Sequence, residues 1–148
     1  RGIYTYLKRT TPYPSFMSFD AGSGEVCQVR RIRTNTPLQA LVTLNDPVYL
    51  EAAAALAKRM VTDAIDSHSR AARGLRLALI RPIRADEVTP LVQLQQETQS
   101  ALAKVPDDAT ALIKTSRGDV GTVPPAEFAA WIVTASVILN LDEFLTRN

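Results

Sequence analysis

Three arginines close together in the chain, followed by two small polar residues, are the side chains whose types and spacing best suit binding chemistry. Arg30, Arg31 and Arg33 precede Thr34 and Asn35. Guanidinium groups bind phosphate, sulfate or carboxylate oxygens through two parallel hydrogen bonds, and neutral amide and hydroxyl donors can add to such a site. The run therefore predicts either an anion clamp or a set of contacts that fixes one part of the protein on another.

Charge is distributed unevenly along the sequence, and this bears on the choice between those two interpretations. Residues 1–84 contain 13 Lys and Arg against 6 Asp and Glu, a net of +7, whereas residues 85–148 contain 4 against 9, a net of −5. Oppositely charged halves neutralise each other where they meet. We prefer internal pairing of the arginines with the acidic half, and an anion site remains the alternative. No aromatic residues are interleaved with the arginines, so nucleic acid is not an expected partner.

The other reactive side chains lack the companions that catalysis or metal binding requires. His68 is the single histidine and Cys27 the single cysteine, and no Walker loop, GxGxxG, GxSxG, HExxH or CxxCH motif is present. A triad around His68 stays open, but a polar linker explains the neighbouring residues equally well. Asn140, Asp142 and Glu143 lie too close together on one helical turn to converge on a cation, so we interpret them as capping residues. We predict no catalytic residue, no metal site and no cofactor in this chain.

The sequence divides into an arm and a body. Residues 1–35 lack helical periodicity and predict an irregular arm, with a short strand at 3–7, whereas residues 36–148 predict a helical body. We expect one domain over 1–148, belonging to a longer protein, with no membrane-spanning segment. The arm is expected to dock on the body through five apolar side chains: Tyr4, Tyr6, Phe16, Met17 and Phe19.

Helical periodicity in the body predicts an all-α, bundle-like fold of five to six helices. Thr36, Pro37 and Gln39 have the types and spacing of a helix start closed by a capping box. Asp46 is expected to cap the next helix, and Asp107 a later one. The predicted helices are residues 37–44, 47–66, 70–80, 85–104, 107–113 and 125–144.

The apolar stripes of these helices predict which residues form the core. The first helix is expected to bury Leu38, Leu41 and Val42. Three arginines on one face of the third helix are interpreted as solvated, with Asp66 placed to pair with Arg70. The stripe of the second helix consists of Tyr49, Ala53, Leu56, Met60 and Ala64. The last helix is apolar on nearly every side, so its expected core residues are Trp131, Ile132, Ala135 and Leu139.

Three blocks of the sequence resemble the C-terminal domain of unknown function of large planctomycete-type multidomain proteins. The blocks read YTYLKRTTPYPSFMSFD, RRIRTNTPLQALVTLNDP and AAWIVTASVILNLDEFLTRN. The resemblance implies a position after a cytochrome c-like domain and a second uncharacterised domain, export to the periplasm or cell surface, and residence in a haem-carrying assembly concerned with complex polysaccharides. It supplies no catalytic residues. At Arg84 the chain departs from a family pattern of Thr or Ser, which predicts that Glu87 lacks a capping partner and that its helix starts loosely.

Two functions of different classes follow from these observations. The first is a noncatalytic helical structural or interaction module that packs against upstream domains of its parent protein. The alternative is a domain that binds or processes anionic polysaccharide with Arg30, Arg31, Arg33 and Asn35. Apolar patches exposed on the surface would favour the first function, and arginines converging on a concave pocket would favour the second.

Overall fold

The structure is a computed structural model that describes residues 5–6, 11, 13–21, 34–119, 121 and 123–146. Within these ranges it is all-α, as predicted, and has no strand. The eight helices of the described residues exceed the five to six that the sequence predicts, because short helices occur at Pro14–Ser18 and Asp142–Leu145. The predicted strand lies mostly outside them, and the division into an arm and a single-domain body stays a prediction. The helices are α1 (Pro14–Ser18), α2 (Pro37–Asn45), α3 (Pro47–Asp63), α4 (Ser67–Leu79), α5 (Ala85–Leu102), α6 (Pro106–Thr115), α7 (Pro125–Leu139) and α8 (Asp142–Leu145).

Helix α7 is the centre of the core. It packs against α3, α5 and α6, and its residues are buried around most of its circumference. This confirms the prediction from its almost uniformly apolar sequence, because a helix without a polar face is stable in water only when surrounded by other elements. Trp131, Ile132 and Ala135 are buried as expected. Leu139 is only half-buried, and Ile138 takes the core position instead.

Small residues let α3, α4 and α7 approach one another closely. Ala53 and Ala57 on α3 are fully buried, and so is Met60 one turn further along. Opposite them on α4, a Cβ on Gly74 would lie 2.7 Å from Met60 Sδ and 3.0 Å from Ile138 Cδ1. Glycine weakens an isolated helix. At this position a larger residue would require the ends of the Met60 and Ile138 side chains to move.

One arginine of the helix face that was predicted to be solvated instead connects α4 to α7. Arg70 lies 2.6 Å from Glu127 of α7 through Nη1, and its Nε donates to the carbonyl of Ala64 at 3.1 Å. Its guanidinium lies 6.0 Å from the centre of the Trp131 ring. The predicted pairing with Asp66 is therefore wrong: the Asp66 carboxylate accepts from the backbone N–H of Ser69 and caps α4.

Several helix ends differ from the predicted ones. Helix α7 ends at Leu139 instead of continuing to residue 144, and α8 follows as a separate turn. The predicted cap on the fifth helix is also wrong, since α6 begins at Pro106 and Asp107 lies inside its first turn. In each case a proline or a polar residue shifts the end by a few residues, because local capping choices compete closely in energy.

At the start of α5, Arg84 offers no side-chain acceptor, as expected, yet Glu87 has other partners. Glu87 Oε2 accepts a hydrogen bond from the backbone N–H of Arg84 at 2.9 Å. This bond is one half of a capping box; the other half needs a side-chain acceptor at the N-cap, which arginine lacks. The same carboxylate also binds Arg81. Glu87 is therefore well partnered although Arg84 contributes no side-chain acceptor.

The described residues of the arm contact the body through aromatic and polar side chains. Phe19 contacts Tyr49 of α3 with ring centres 5.8 Å apart, and Ser15 Oγ donates to Asp46 Oδ2 at 2.9 Å. Tyr6 and Met17, two of the expected anchors, are instead exposed. Tyr4 lies outside the described residues. Within the described residues, the junction between arm and body thus contains a polar contact as well as an aromatic one.

Candidate functional site

The four residues predicted to form a contact site are only partly described. Arg30, Arg31 and Arg33 lie outside the described residues, so both the anion clamp and the internal pairing stay predictions. Asn35 is exposed, and its Nδ2 donates to Asp142 Oδ1 of α8 at 2.5 Å. The chain therefore passes from the arm into α2 beside an acidic residue of the C-terminal half.

Helix α2 begins where the sequence predicts. The Thr36 hydroxyl oxygen accepts from the backbone N–H of Gln39 at 3.3 Å, and Gln39 Oε1 accepts from the backbone N–H of Thr36 at 2.9 Å. Pro37 occupies the first helical position, where its missing N–H costs nothing. Two N–H groups at the helix start are thus satisfied reciprocally, and the capping box is confirmed.

The face that α2 turns toward the protein is polar. Gln39 is only 2% exposed, and its Nε2 donates to Thr34 Oγ1 at 3.1 Å and to Asp20 Oδ2 at 3.4 Å. Asp20 Oδ2 also accepts from the hydroxyl and backbone N–H of Thr34, at 2.7 and 2.8 Å. These hydrogen bonds lower the pKa of Asp20 because they stabilise its ionised form, and the bond from the Thr34 hydroxyl has the largest effect.

One turn further along, the same face joins the end of α7. Thr43 is buried, and its hydroxyl lies 2.8 Å from Asn140 Oδ1. Asn140 directly follows the last residue of α7. We call Asp20, Thr34, Gln39, Thr43 and Asn140 the polar seam. It holds α2 against both the arm and the central helix, and it fixes which way α2 is rotated.

The opposite side of α2 is an exposed apolar surface. Leu38, Leu41 and Leu44 recur every three residues on this side and are 62%, 61% and 43% exposed. Val48, in the first turn of α3, is 59% exposed. We call these four residues the leucine face. The prediction that Leu38 and Leu41 belong to the core is therefore wrong.

Sequence reasoning missed this arrangement because it assigned the apolar side of α2 to the interior. A signal was present, since Gln39 and Thr43 are four residues apart and share one helix face. Their burial, however, depends on partners far away in the sequence, at Asp20 and Asn140. Such partners cannot be identified from helical periodicity alone.

The described residues supply little support for catalysis. His68 is exposed in the first turn of α4. No group of three or more potential metal-ligating side chains occurs within the part of the chain that the structure describes. Among the same residues, no helix has both the length and the apolar character needed to cross a membrane. Cys27 lies outside the described residues.

Comparison with known proteins gives one positive result. Residues 1–95 match a family described as PSD1, a protein of unknown function (DUF1553). The matched part contains the arm, the polar side chains that hold α2 from the arm side, and the whole leucine face. No curated protein and no solved structure is significantly similar to the chain.

Proposed function

The chain belongs to the PSD1 family of proteins of unknown function, and from this membership and its surface we propose that it is a noncatalytic helical interaction module. The single observation that supports this function is the leucine face. A helix that exposes three leucines while burying a glutamine and a threonine has its apolar surface directed at something other than its own core.

The rigidity of α2 strengthens the proposal. The capping box fixes where the helix begins. The polar seam fixes the rotation of the helix through partly buried hydrogen bonds to the arm and to the end of α7. Turning the leucines inward would move the Gln39 amide away from Thr34 and Asp20, and each hydrogen bond lost between them would cost about 0.5–1.5 kcal/mol. The apolar face is therefore held outward, which is the arrangement that helix-in-groove recognition requires.

The partner we propose is an apolar groove on another domain of the same polypeptide, in an exported multidomain protein of the kind that the family resemblance implies. Intramolecular domain contacts need less apolar area than contacts between separate proteins, because a linker raises the effective concentration of the partner. The leucine face, with three leucines and one valine, is small enough to suit such an intramolecular contact.

A site-specific cross-linking experiment tests the proposal. A photoreactive amino acid replaces Leu41 in the longest polypeptide that carries this chain, and a matched variant replaces Ile65, which is 94% exposed but isolated between α3 and α4. We expect a discrete cross-link to another domain from position 41 and none from position 65. Equal products from both positions, or none from either, would contradict an interaction surface on α2.

A double variant separates the effect on binding from the effect on folding. Leu38→Ser combined with Leu44→Ser should abolish the cross-link and change the free energy of unfolding by no more than about 0.5 kcal/mol for each exposed position. If the double variant instead unfolds the chain, the leucines are part of its own core and the proposed function is wrong.

The alternative function, binding of anionic polysaccharide, gains no support from the described residues. Asn35, its one described member, donates to a carboxylate. Thermal melts with and without a sulfated oligosaccharide test that alternative directly, since a ligand that binds only the folded state raises the melting temperature.

A further inference from the structure

A pocket of about 490 Å³ lies between α4, α5 and the start of α8, on helices other than those of the leucine face. Its wall is apolar and is formed by Leu75, Leu79, Pro90, Leu91 and Leu141. Its rim is charged and contains Arg81, Glu87, Asp142 and Glu143. The volume falls within the range of small-molecule sites, which are typically apolar with a few polar groups that orient the ligand.

The arginine on the rim has no hydrogen to offer a ligand. Arg81 Nε donates to Glu143 Oε1 at 2.6 Å, and Nη2 donates to Glu143 Oε2 at 2.8 Å and to Glu87 Oε1 at 2.7 Å. Nη1 donates to Glu87 Oε2 at 3.0 Å and to the carbonyl of Pro82 at 3.0 Å. A guanidinium has five N–H donors, and all five are engaged. An anion at the rim would therefore find no donor on Arg81.

The carboxylates, in contrast, keep capacity to accept. Three carboxylates and one guanidinium line the rim, which gives it a net charge of −2. The Asp142 carboxylate accepts from the neutral side chains of Asn35 and Thr146, and no cationic side chain among the described residues contacts it. Among the described residues, Arg84 lies near the rim, but its Nη2 is 3.8 Å from Glu87 Oε1 and its side chain is largely exposed. An ionised carboxylate has about four lone-pair sites, so Glu143 and Asp142 can each bind a further donor.

From this geometry we propose that the pocket binds a small amphiphilic amine, with the apolar group against the leucines and the protonated nitrogen at the carboxylate rim. Charge complementarity decides the sign of the ligand, because a net negative rim attracts cations and disfavours anions. The concave apolar wall, formed by several elements, favours a small molecule over an extended protein surface.

Binding of matched probes to the 148-residue chain tests the proposal. Octylammonium and octanoate have the same apolar chain and opposite charges, and octanol provides the uncharged reference. We expect saturable binding of octylammonium, followed by titration calorimetry and by NMR shifts of the Leu79, Leu91 and Leu141 methyl groups. Compared with octanol, octylammonium should bind about fivefold more tightly and octanoate about fivefold more weakly. A change of about fivefold in affinity corresponds to the free energy of one partly exposed ion pair.

Glu143→Gln makes the test specific to the rim. The change removes one negative charge and releases one of the two Arg81 donors that Glu143 binds, because the amide oxygen can still accept the other. The preference between octylammonium and octanoate should therefore shift toward the anion by about tenfold. Glu51→Gln is the matched control, because Glu51 is an exposed carboxylate on α3 that pairs with Arg117 and does not line the pocket. This control should leave the preference unchanged. Melting curves verify that both variants are folded.

Three results would overturn the proposal. The first is the absence of saturable octylammonium binding, and the second is equal binding of the three probes, which would mean that the rim has no role. The third is a concentration-dependent dimer of the chain that octylammonium dissociates, because this would assign the pocket to a second copy of the chain. None of these outcomes depends on the leucine face, so the two proposals fail independently.

Discussion

Helices α2 and α7 are both rich in apolar residues, yet they sit in the protein in opposite ways. Helix α7 has apolar side chains on nearly every side and is buried around most of its circumference. Helix α2 has an apolar side and a polar side, and it is the polar side that is buried. The comparison teaches that apolar content predicts burial reliably only when no alternative orientation exists.

The two helices are also held by different forces. Around α7 the contacts are apolar and pack closely, with Ile138 and Met60 fully buried. Around α2 the attachments are hydrogen bonds between a small number of buried polar groups. Removing an apolar group from the first leaves a cavity, whereas removing one hydrogen-bonding group from the second leaves a partner unsatisfied. Substitutions in the two helices should differ accordingly.

The largest effect is expected in α7. Ile138→Ala should lower the free energy of unfolding by about 2–5 kcal/mol, because it removes buried methyl groups and leaves a cavity beside Gly74 and Met60. Leu41→Ala removes a similar apolar group from α2 and should change the free energy of unfolding by less than about 0.5 kcal/mol. Chemical denaturation of both variants measures the difference. Similar losses would mean that the leucine face is buried.

The next effect concerns the polar seam. There, making a buried residue more apolar should lower the free energy of unfolding, although hydrophobicity alone suggests that it would raise it. Gln39→Leu makes the inward face of α2 more apolar, yet it should destabilise the protein by about 1–3 kcal/mol because Thr34, Thr36 and Asp20 lose a buried partner. Leu41→Gln makes the outward face more polar and should be nearly neutral. A stabilising Gln39→Leu would break the comparison between the two helices.

The capping box gives a smaller effect. Thr36→Ala should cost about 1 kcal/mol, since the backbone N–H of Gln39 loses its acceptor at the start of α2. Thr62→Ala is a matched control, because Thr62 is an exposed threonine near the end of α3 whose hydroxyl donates within its own helix. Denaturation midpoints at constant slope compare the two. Equal midpoints for the two variants would mean that the Thr36 cap does not contribute and that tertiary contacts alone stabilise α2.

The smallest effect is a pH dependence of the seam. Hydrogen bonds from Thr34, with a weaker one from Gln39, hold the pKa of Asp20 below its ordinary value of 3.8. A carboxyl group with a lowered pKa stabilises the folded state above the ordinary value, and this contribution is lost as the pH falls through the lowered one. Asp20→Asn does not titrate, so the melting temperatures of the two proteins should converge on acidification. A constant gap would show that the Asp20 charge does not contribute.

Much of the fold could be predicted because the helix starts depend on local chemistry. Thr36 with Gln39, and Asp46 with Pro47, satisfy or replace the first N–H groups of α2 and α3 within a few residues of sequence. The candidate surface could not be predicted in the same way. Its orientation depends on Asp20 and Asn140, which lie 19 residues before Gln39 and 97 residues after Thr43.

The sequence by itself determined the all-α class, the starts of α2, α3, α5 and α7, and the burial of α7. Each depends on neighbours along the chain or on the apolar character of a whole segment. Only the tertiary structure decided that α2 turns its leucines outward and that Arg81 is surrounded by two carboxylates. Both features depend on polar groups that find their partners across long sequence separations. Such pairings are set by the packing of the finished fold, where a buried polar group is stable only beside the atoms that satisfy it.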